Sequence, residues 1–593
     1  MKNSIITKAA IYLYLLYCLS PFVWYSKTII PETEYISVSG IFAVVLYILS
    51  VIELLRQKAI HISKIDIWIL IWTVCLTISF FVMRHASGTA DYITLSVYIT
   101  PVFLYFLFRS TNFLLDIRHL SVIIILSVLL QVIFCIRYQT SVFQSNTQFR
   151  ATFFNSGLFG GFISVGVVTA ISLLVFSKAK GYRRIITTGV LLAILCLFIY
   201  WLRMTGSRAA LIALFVSLPF LMFKRLALSN TTITIQLKKY KLYLGILGLI
   251  LFVSAGYYLY GIRPHSATGR LYIWQTSVEM IKEKPIFGYG LDGFRKNYMF
   301  HQAKFLEQDP GSPFAQLASD TAFSFNELVK IGVEQGITGL LIILFLIGII
   351  FTAKSKQHIS QRSSLAILKT ILLAILVFGL FSYPSESFRF RLIVVIIMAM
   401  AASMASGKTT IRFNSGKYIA VIALAGFTVM GYWGLQSYEF FVASNKFNDI
   451  YHSQDNNIKQ TEQLEVLYPQ LNSTIEYLSF YGRLLADEKP EQALILFLRQ
   501  ETIFPSSSQQ MDKGKAYHLL EMTQQADSAW LLASKMMPEL VRPHYMLAKS
   551  YYDRHEYEKA CYHANIVLNR KPKVYTPEVY YMRKDMEKMA VCK

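Results

Sequence analysis

Charged residues are scarce in this chain: they make up 16% of its 593 residues, whereas hydrophobic residues make up 54%. This balance excludes an ordinary soluble protein and favours a polytopic membrane protein. The six cysteines show no CxxC or Cys/His spacing, so nothing indicates a structural metal site. A disulfide between Cys561 and Cys592 stays open. The apolar N-terminus lacks a small-residue cleavage site and is therefore predicted to be an uncleaved first span.

Long apolar runs dominate the first three quarters of the chain. A run that crosses a hydrocarbon core of ~30 Å needs about 20 residues. By this measure we predict an all-α fold with about thirteen transmembrane helices, near 8–25, 37–55, 66–83, 91–108, 119–136, 151–177, 185–202, 208–223, 241–261, 337–353, 363–383, 389–406 and 416–436.

The basic residues set the predicted orientation. Lysine and arginine concentrate in alternate short loops, which places those loops and the N-terminus in the cytoplasm and the C-terminus outside. Much of the formal net charge of +23 is then a topology signal, so it does not argue for nucleic-acid binding. The basic loops are 56–64, 178–184, 224–241, 354–362 and 407–417.

Two segments fall outside the predicted membrane domain (1–436). One is a large loop between spans nine and ten (262–336), and the other is the C-terminal tail (437–593); both are predicted to be periplasmic. The tail has a helical pattern and prolines at intervals of 36, 33 and 34 residues, a period that resembles tetratricopeptide helix pairs. An unrelated domain of helical hairpins is the alternative. The prolines are Pro469, Pro505, Pro538 and Pro572.

Arg208 lies in "TGSRAALIAL", between two apolar runs. An arginine at the centre of a membrane helix costs about 2.5–3.5 kcal/mol, which indicates that the charge has a partner. Snorkelling to lipid headgroups explains a single arginine, but it explains less well a set of arginines on one predicted side. The planar fork of arginine suits phosphate oxygens, so we predict a membrane-anchored diphosphate substrate. The other arginines of the set are Arg150, Arg270, Arg389 and Arg391.

Three stretches together resemble the O-antigen ligase and polymerase superfamily: "TGSRAALIAL", "GRLYIWQTSVEMIKEKPIFGYGLDGF" and "FNELVKIGVEQGITGLL". The pattern is Arg270, then Trp274, then P-x-x-G-x-G over 285–290, followed by Asn326 with Leu328 two residues on, and by E-x-G over 334–336. "RATFFNSG" and "SYP" match further positions. The resemblance covers roughly residues 90–436.

The resemblance implies an enzyme of the bacterial inner membrane. It transfers a glycan from a polyprenyl-diphosphate carrier to an acceptor hydroxyl on the periplasmic face, with no metal or other cofactor, and the large loop contains no D-x-D sequence. Its partners are the lipid-linked donor, a lipid, glycan or protein acceptor, and a protein partner for the tail. The expected catalytic residues are Arg208, Arg270, Asn326 and Glu327, and the expected substrate-binding residues are Arg150, Asn155, Trp274, Tyr383 and Arg389.

One position departs from the ligase pattern. Ligases of the family have a histidine before the asparagine, and this chain has Phe325 there. Glu327 replaces it as the general base only where the segment is not yet helical, because 325 and 327 lie about 200° apart on a helix. We predict Ser324 as the N-cap of the following helix. Further candidates on the same side are His265, His301 and Glu334.

Several functions remain open within this interpretation. The acceptor is a lipid-linked core sugar, a growing glycan, or a serine or threonine of a secreted protein. The missing histidine weakens the first of these, and the repeat-like tail favours a protein acceptor or partner. A membrane transporter is a more distant alternative, because transporters place ionisable residues near the midplane and here they cluster at one predicted boundary. A scaffold for the tail leaves the arginines unexplained.

Overall fold

A computed structural model describes residues 2–21, 31–57, 59–87, 92–110, 116–139, 149–177, 179–228, 264–309, 312–355, 359–407, 409–412, 416–453, 457–572 and 574–588. Within these ranges the chain is almost entirely helical, as predicted. The elements of the first half are α1 (Lys2–Leu19), α2 (Pro31–Gln57), β1 (Ala59–Ile62), α3 (Lys64–Ser87), α4 (Tyr92–Ser110), α5 (Ile117–Gln139), α6 (Ser156–Val175), α7 (Gly181–Thr205), α8 (Arg208–Ala227), α9 (Pro264–Glu283) and α10 (Gly293–Gln308).

The second half completes the membrane domain and forms the tail. Its elements are α11 (Glu327–Thr352), α12 (Ile359–Gly379), α13 (Phe388–Met404), β2 (Thr409–Arg412), α14 (Gly416–His452), α15 (Asn457–Leu471), α16 (Ile475–Leu485), α17 (Pro490–Ile503), α18 (Ser507–Leu519), α19 (Thr523–Met536), α20 (Arg542–Asp553), α21 (Tyr557–Asn569) and α22 (Pro577–Lys588).

Seven described helices are long and apolar enough to cross a membrane: α3, α5, α6, α7, α8, α11 and α12. Shorter apolar stretches lie in α1, α2 and α4, and α13 and α14 coincide with the last two predicted spans. The predicted span 241–261 lies outside the described residues. The polytopic all-α architecture is therefore confirmed, and the total of thirteen spans stays a prediction.

Helix α6 lies at the centre of the membrane domain, and fourteen of its twenty residues are buried. Small residues explain this position, because they let neighbouring helices approach closely. A Cβ at Gly161 would meet the ring of Phe378 on α12 at 2.4 Å, and a Cβ at Gly160 would meet Ser207, just before α8, at 2.4 Å. Close packing thus fixes the N-terminal end of α6 beside the start of α8.

At the other end of the helices, β1 and β2 pair antiparallel, with Ala59 opposite Arg412. We call this pair of strands the clasp. Beside it Asp66 forms a salt bridge with Arg109 (2.7 Å), which also donates to the carbonyl of His61 (2.6 Å). The clasp brings together the two basic loops 56–64 and 407–417, which the charge pattern assigns to one side of the membrane.

The tail is a stack of helical hairpins. Its second helices begin at Pro490, Thr523 and Tyr557, at intervals close to the predicted repeat. Small residues allow the two helices of a hairpin to touch: a Cβ at Gly514 would meet the indole nitrogen of Trp530 at 2.3 Å. The assignment to tetratricopeptide repeats stays a prediction. Cys561 is disulfide-bonded, and Cys592 lies outside the described residues.

The tail packs against the large loop, because α10 contacts both α17 and α19. The two segments therefore lie on the same side of the membrane domain. The loop and the tail lie at the end of the helix bundle opposite the clasp. All the predicted site residues of the loop lie at that end.

Candidate active site

The candidate site includes the start of α8 and the second turn of α9. Arg208 is the first residue of α8, which follows the left-handed Gly206 (φ 63°) and the N-cap Ser207. Ser207 donates from its Oγ to the carbonyl of Gly157 (3.2 Å), which ties this turn to the start of α6. Arg270 lies in the second turn of α9.

The two arginines are close enough to affect each other. Burial lowers the pKa of Arg270, and the positive charge of Arg208 lowers it further. Both side chains are half-buried. Two guanidinium groups repel each other at such a site, and a bound anion between them removes the repulsion. We call Arg208 and Arg270 the arginine pair.

Three aromatic rings frame the arginine pair. The guanidinium of Arg270 lies 5.2 Å from the ring centre of Phe325, and Phe325 meets Tyr383 edge to face at 5.0 Å. Phe323 stacks on Tyr383, with ring centres 4.3 Å apart. We call these three rings the aromatic frame. Phe325, at the position of the family's histidine, thus contacts both an arginine of the pair and Tyr383.

The hydroxyl group of Tyr383 is positioned by Asn155, whose amide donates to it. Burial and the charge of Glu386 raise the pKa of Tyr383 to about 12, so the hydroxyl keeps its proton at neutral pH. Because the oxygen accepts from Asn155, its own proton can be donated to a ligand.

Two predicted polar residues cap helices at this place. The side chain of Asn155 accepts from the amide of Leu158 (2.8 Å) and begins α6. Asn326 accepts from the amides of Leu328 (2.9 Å) and Val329 (3.2 Å) and begins α11. The N-terminal ends of α6, α8 and α11 therefore meet around the arginine pair and the aromatic frame. Helix N-termini carry partial positive charge, which adds to the preference for an anion.

The predicted N-cap at Ser324 is wrong, because α11 begins two residues later. Phe325 adopts a left-handed conformation (φ 54°) that a helix does not tolerate, and Asn326 is the cap. Ser324 instead donates from its Oγ to the carbonyl of Asn326 (2.8 Å). As a result Phe325 precedes the helix, and its ring turns toward Arg270 and Tyr383.

Three charged side chains lie behind the aromatic frame, and sequence reasoning missed them. The Glu386 carboxylate contacts Lys330 and accepts from Arg295 at 3.2 Å. Arg295 also lies 5.9 Å from the ring centre of Phe323. We call Arg295, Lys330 and Glu386 the ionic cluster. The available signal for it was a lysine in a helix that is long and apolar enough to cross a membrane, since an intramembrane charge needs a partner.

The electrostatics of the ionic cluster favour the charged forms. Burial alone raises the pKa of Glu386, but the positive charges of Lys330 and Arg295 outweigh it and lower the pKa to about 2. The cluster joins three elements: α10, α11 and the turn before α13. Glu327 joins α11 to the same turn a second time, because its carboxylate accepts from the amide of Ser385 at 2.7 Å.

The P-x-x-G-x-G stretch docks on a break in α11. Gly336 has non-helical angles (φ 63°, ψ −160°) within that helix. The loop supplies the missing backbone partners: Tyr289 and Gly290 donate to the carbonyls of 333 and 334 (2.8 and 2.9 Å), and Ile337 donates to the carbonyl of Pro285 (2.8 Å). Unpaired backbone groups are costly in a membrane, so this motif serves to hold the loop on α11.

Gly288→Ala should weaken the contact between the P-x-x-G-x-G stretch and α11. Gly288 has a φ of 67°, and an added Cβ would lie 2.4 Å from the carbonyl oxygen of residue 333. Backbone strain alone costs roughly 1–3 kcal/mol, and the clash with backbone adds to it. We expect a lower thermal unfolding temperature of the purified protein. The control is Gly348→Ala, also on α11, where an added Cβ meets nothing within 4 Å; equal unfolding temperatures of the two variants would contradict the docking role.

The structure divides the remaining arginines. Arg389 is fully buried and donates to the hydroxyl (2.6 Å) and carbonyl (3.3 Å) of Thr152. It therefore stabilises the turn before α6 from within the protein. Arg150 is exposed on that turn, with a contact of 3.5 Å to the carbonyl of Phe154. Arg391 donates to the carbonyl of Val97 (2.7 Å).

Other predicted residues lie around the site rather than in it. Trp274 donates to the carbonyl of Ser324 (2.9 Å) and so anchors the segment before α11. Glu334 is buried and accepts from the hydroxyl of Tyr98 (2.7 Å). His301 pairs with Glu283 on the loop (3.0 Å). Among the described residues no group of three or more His, Cys, Asp or Glu side chains is arranged to hold a metal ion.

Comparison with known proteins finds one family. Residues 200–344 match the family model described as O-antigen ligase, and this stretch contains the arginine pair, the docked motif, Asn326 and Glu327. The resemblance is therefore confirmed over residues 200–344, whereas its extension to 90–436 stays a prediction. No curated protein matches the chain.

Proposed function

Because residues 200–344 match the family model described as O-antigen ligase, we propose that the protein transfers a glycan from a polyprenyl-diphosphate carrier to an acceptor hydroxyl at the periplasmic face of the inner membrane. The observation that carries the proposal is the arginine pair at the meeting point of three helix N-termini. Such a site binds a diphosphate at the end of a lipid that reaches it from the membrane.

The proposed reaction breaks the bond between C1 of the glycan and the oxygen of the diphosphate, and forms a bond from C1 to the acceptor oxygen. Negative charge grows on the departing phosphate oxygen. In this proposal Arg208 and Arg270 hold the phosphate oxygens, and Tyr383, kept protonated by its high pKa, donates a further hydrogen bond. Donors fixed in advance stabilise the developing charge without reorganisation.

The acceptor hydroxyl loses its proton as it attacks, and we assign that proton to Glu327. This carboxylate follows the Asn326 cap directly and is fixed beside the Tyr383 turn through Ser385. Positioned general bases contribute roughly 10²–10⁴-fold.

Glu327→Gln tests this assignment without disturbing the contact, because the glutamine oxygen still accepts from the Ser385 amide. We expect the transfer rate to fall by about two decades or more, together with loss of the acidic limb of the pH–rate profile. An unchanged rate in Glu327→Gln, with an inactive Asn326→Ala, would mean that the segment acts by positioning alone.

The periplasmic orientation has two supports. The clasp carries the basic loops that the charge rule assigns to the cytoplasm, and the site lies at the opposite end of the helices. Cys561 in the tail is disulfide-bonded, and such bonds persist in oxidising compartments.

The acceptor is a lipid-linked sugar, a growing glycan or a secreted protein. The experiment incubates the purified protein with a radiolabelled polyprenyl-diphosphate oligosaccharide and offers lipid A core, free glycan and protein acceptors in separate reactions. We expect label to move to one acceptor class, and not to move with the Arg270→Ala variant. If the folded protein transfers label to none of the three acceptors, the proposal is overturned.

A further inference from the structure

The tail contacts the segment that carries the aromatic frame. Residues 318–326 connect the loop to α11 without regular structure, and we call them the linking segment. One of its side chains, Asp320, reaches the tail: its carboxylate accepts from the amide (2.7 Å) and the hydroxyl (2.8 Å) of Ser507. Ser507 is the first residue of α18. The carboxylate therefore lies at a helix N-terminus, where negative charge is stabilised.

A second bond joins the same two parts. Gln302 on α10 is fully buried, and its amide donates both to the carbonyl of Ser319 (3.2 Å) and to the carbonyl of Met536 (2.8 Å). One side chain thus connects the linking segment to the end of α19. The side-chain nitrogen of Gln302 is thereby paired with both parts, and such a buried pair of bonds favours one arrangement of the chain.

An apolar cluster completes the contact. Met536 is fully buried together with Tyr298 and Met299 of α10, and Phe504 and Leu532 of the tail pack on the same cluster. Trp274 and Phe325 belong to its rim. The residue at the family's histidine position therefore packs against a cluster that the tail helps to build.

We infer that the tail is a part of the active site's framework, and that Asp320 is a positioning residue which sets the aromatic frame against the arginine pair through the linking segment. This inference rests on the proposed function, because the reaction is assigned to that pair. The linking segment is held at one end by the tail, through Asp320, and at the other by Tyr383 and by the bond from Trp274 to Ser324. Loss of the tail contact loosens the packing of Phe323 and Phe325 on Tyr383, while the arginine pair stays on α8 and α9.

Asp320→Ala in the full-length protein tests the inference. The variant loses both bonds to Ser507, and we expect kcat to fall roughly fivefold to thirtyfold, the change in an equilibrium that the loss of one or two capping bonds produces. The KM for the lipid-linked donor should change less, because the arginine pair is untouched. Asp320→Asn keeps an oxygen for the Ser507 amide and should recover part of kcat.

Hydrogen exchange supplies a readout that does not depend on activity. Amides of 318–326 should exchange faster in Asp320→Ala than in the wild type, while those of α8 and α9 stay unchanged. The matched control is Glu307→Ala, which removes an exposed salt bridge to Lys535 (2.8 Å) across the same contact and should behave as wild type, as exposed pairs contribute little.

The outcomes separate the inference from the proposed function. Wild-type exchange in 318–326, or faster exchange with an unchanged kcat, would overturn the role of the tail. If Arg270→Ala is inactive in the same assay, the proposed function survives that result. If Arg270→Ala transfers glycan at the wild-type rate, the proposed function fails, whatever Asp320→Ala does.

Discussion

Arg270→Ala is expected to reduce glycan transfer by a factor on the order of 10²–10³, the usual effect of removing one donor from a preorganised anion site. Arg208→Ala should have a similar effect, because the two guanidinium groups act on the same charge. Arg270→Ala should still insert and fold, since the contact that it loses is one with an aromatic ring. The measurement is the initial rate of transfer from a labelled lipid-linked donor.

Lysine at either position should recover little activity, because it keeps the charge but loses the planar fork that matches two phosphate oxygens. A matched control is Arg225→Ala. It lies on α8 like Arg208 but at the other end, where its side chain donates to the carbonyl of Val175 (3.2 Å). A rate near that of the wild type in Arg208→Ala would refute the arginine pair as the diphosphate site.

Glu386→Ala is expected to have the largest effect on stability. It leaves Lys330 and Arg295 without the carboxylate that both contact, and breaking a buried pair by removing one partner costs about 3–5 kcal/mol. The aromatic frame should loosen as well, since Arg295 also packs on Phe323. The measurement is thermal unfolding in detergent, with Glu279→Ala as the control because its salt bridge to Lys282 is exposed.

The pH dependence of this contribution follows from the lowered pKa. Glu386 stabilises the folded state at a pH above its unfolded pKa of about 4.3, and this stabilisation is lost as the pH falls through about 2. Between pH 7 and 5 the difference in stability between wild type and Glu386→Ala should therefore stay constant. A difference that vanishes on acidification to pH 5 would contradict the ionic cluster.

Apolar runs were sufficient to place most helices, because a membrane demands long uninterrupted segments. The ionic cluster was not foreseen, since its members are 91 and 56 residues apart in the chain and no spacing rule connects them. The predicted start of α11 was wrong for a different reason. Both Ser324 and Asn326 can cap a helix, and only the left-handed Phe325 between them decides which does.

The arginines show the same limit. A charge rule groups Arg208, Arg270 and Arg389 because they lie on one predicted side of the membrane. The charge rule gives the side of the membrane but not how deeply each side chain is buried. In the structure Arg389 is fully buried against Thr152. The position of Arg208 depends on packing around Gly160, where the start of α6 meets Ser207 just before α8, and no charge rule contains that information.

The clasp also sets an order of events during synthesis. Its strands are separated by almost the whole membrane domain, and His61 of β1 meets Thr410 of β2 across 349 residues. At roughly 5–20 residues per second, a ribosome needs on the order of 20–70 s to make that stretch. Helix α2 packs more extensively on α14 than on its neighbours in the chain, so it waits in the bilayer for that time without its main partner. A ribosome that stalls before residue 409 therefore leaves a chain in which the clasp cannot form and α2 lacks its main partner.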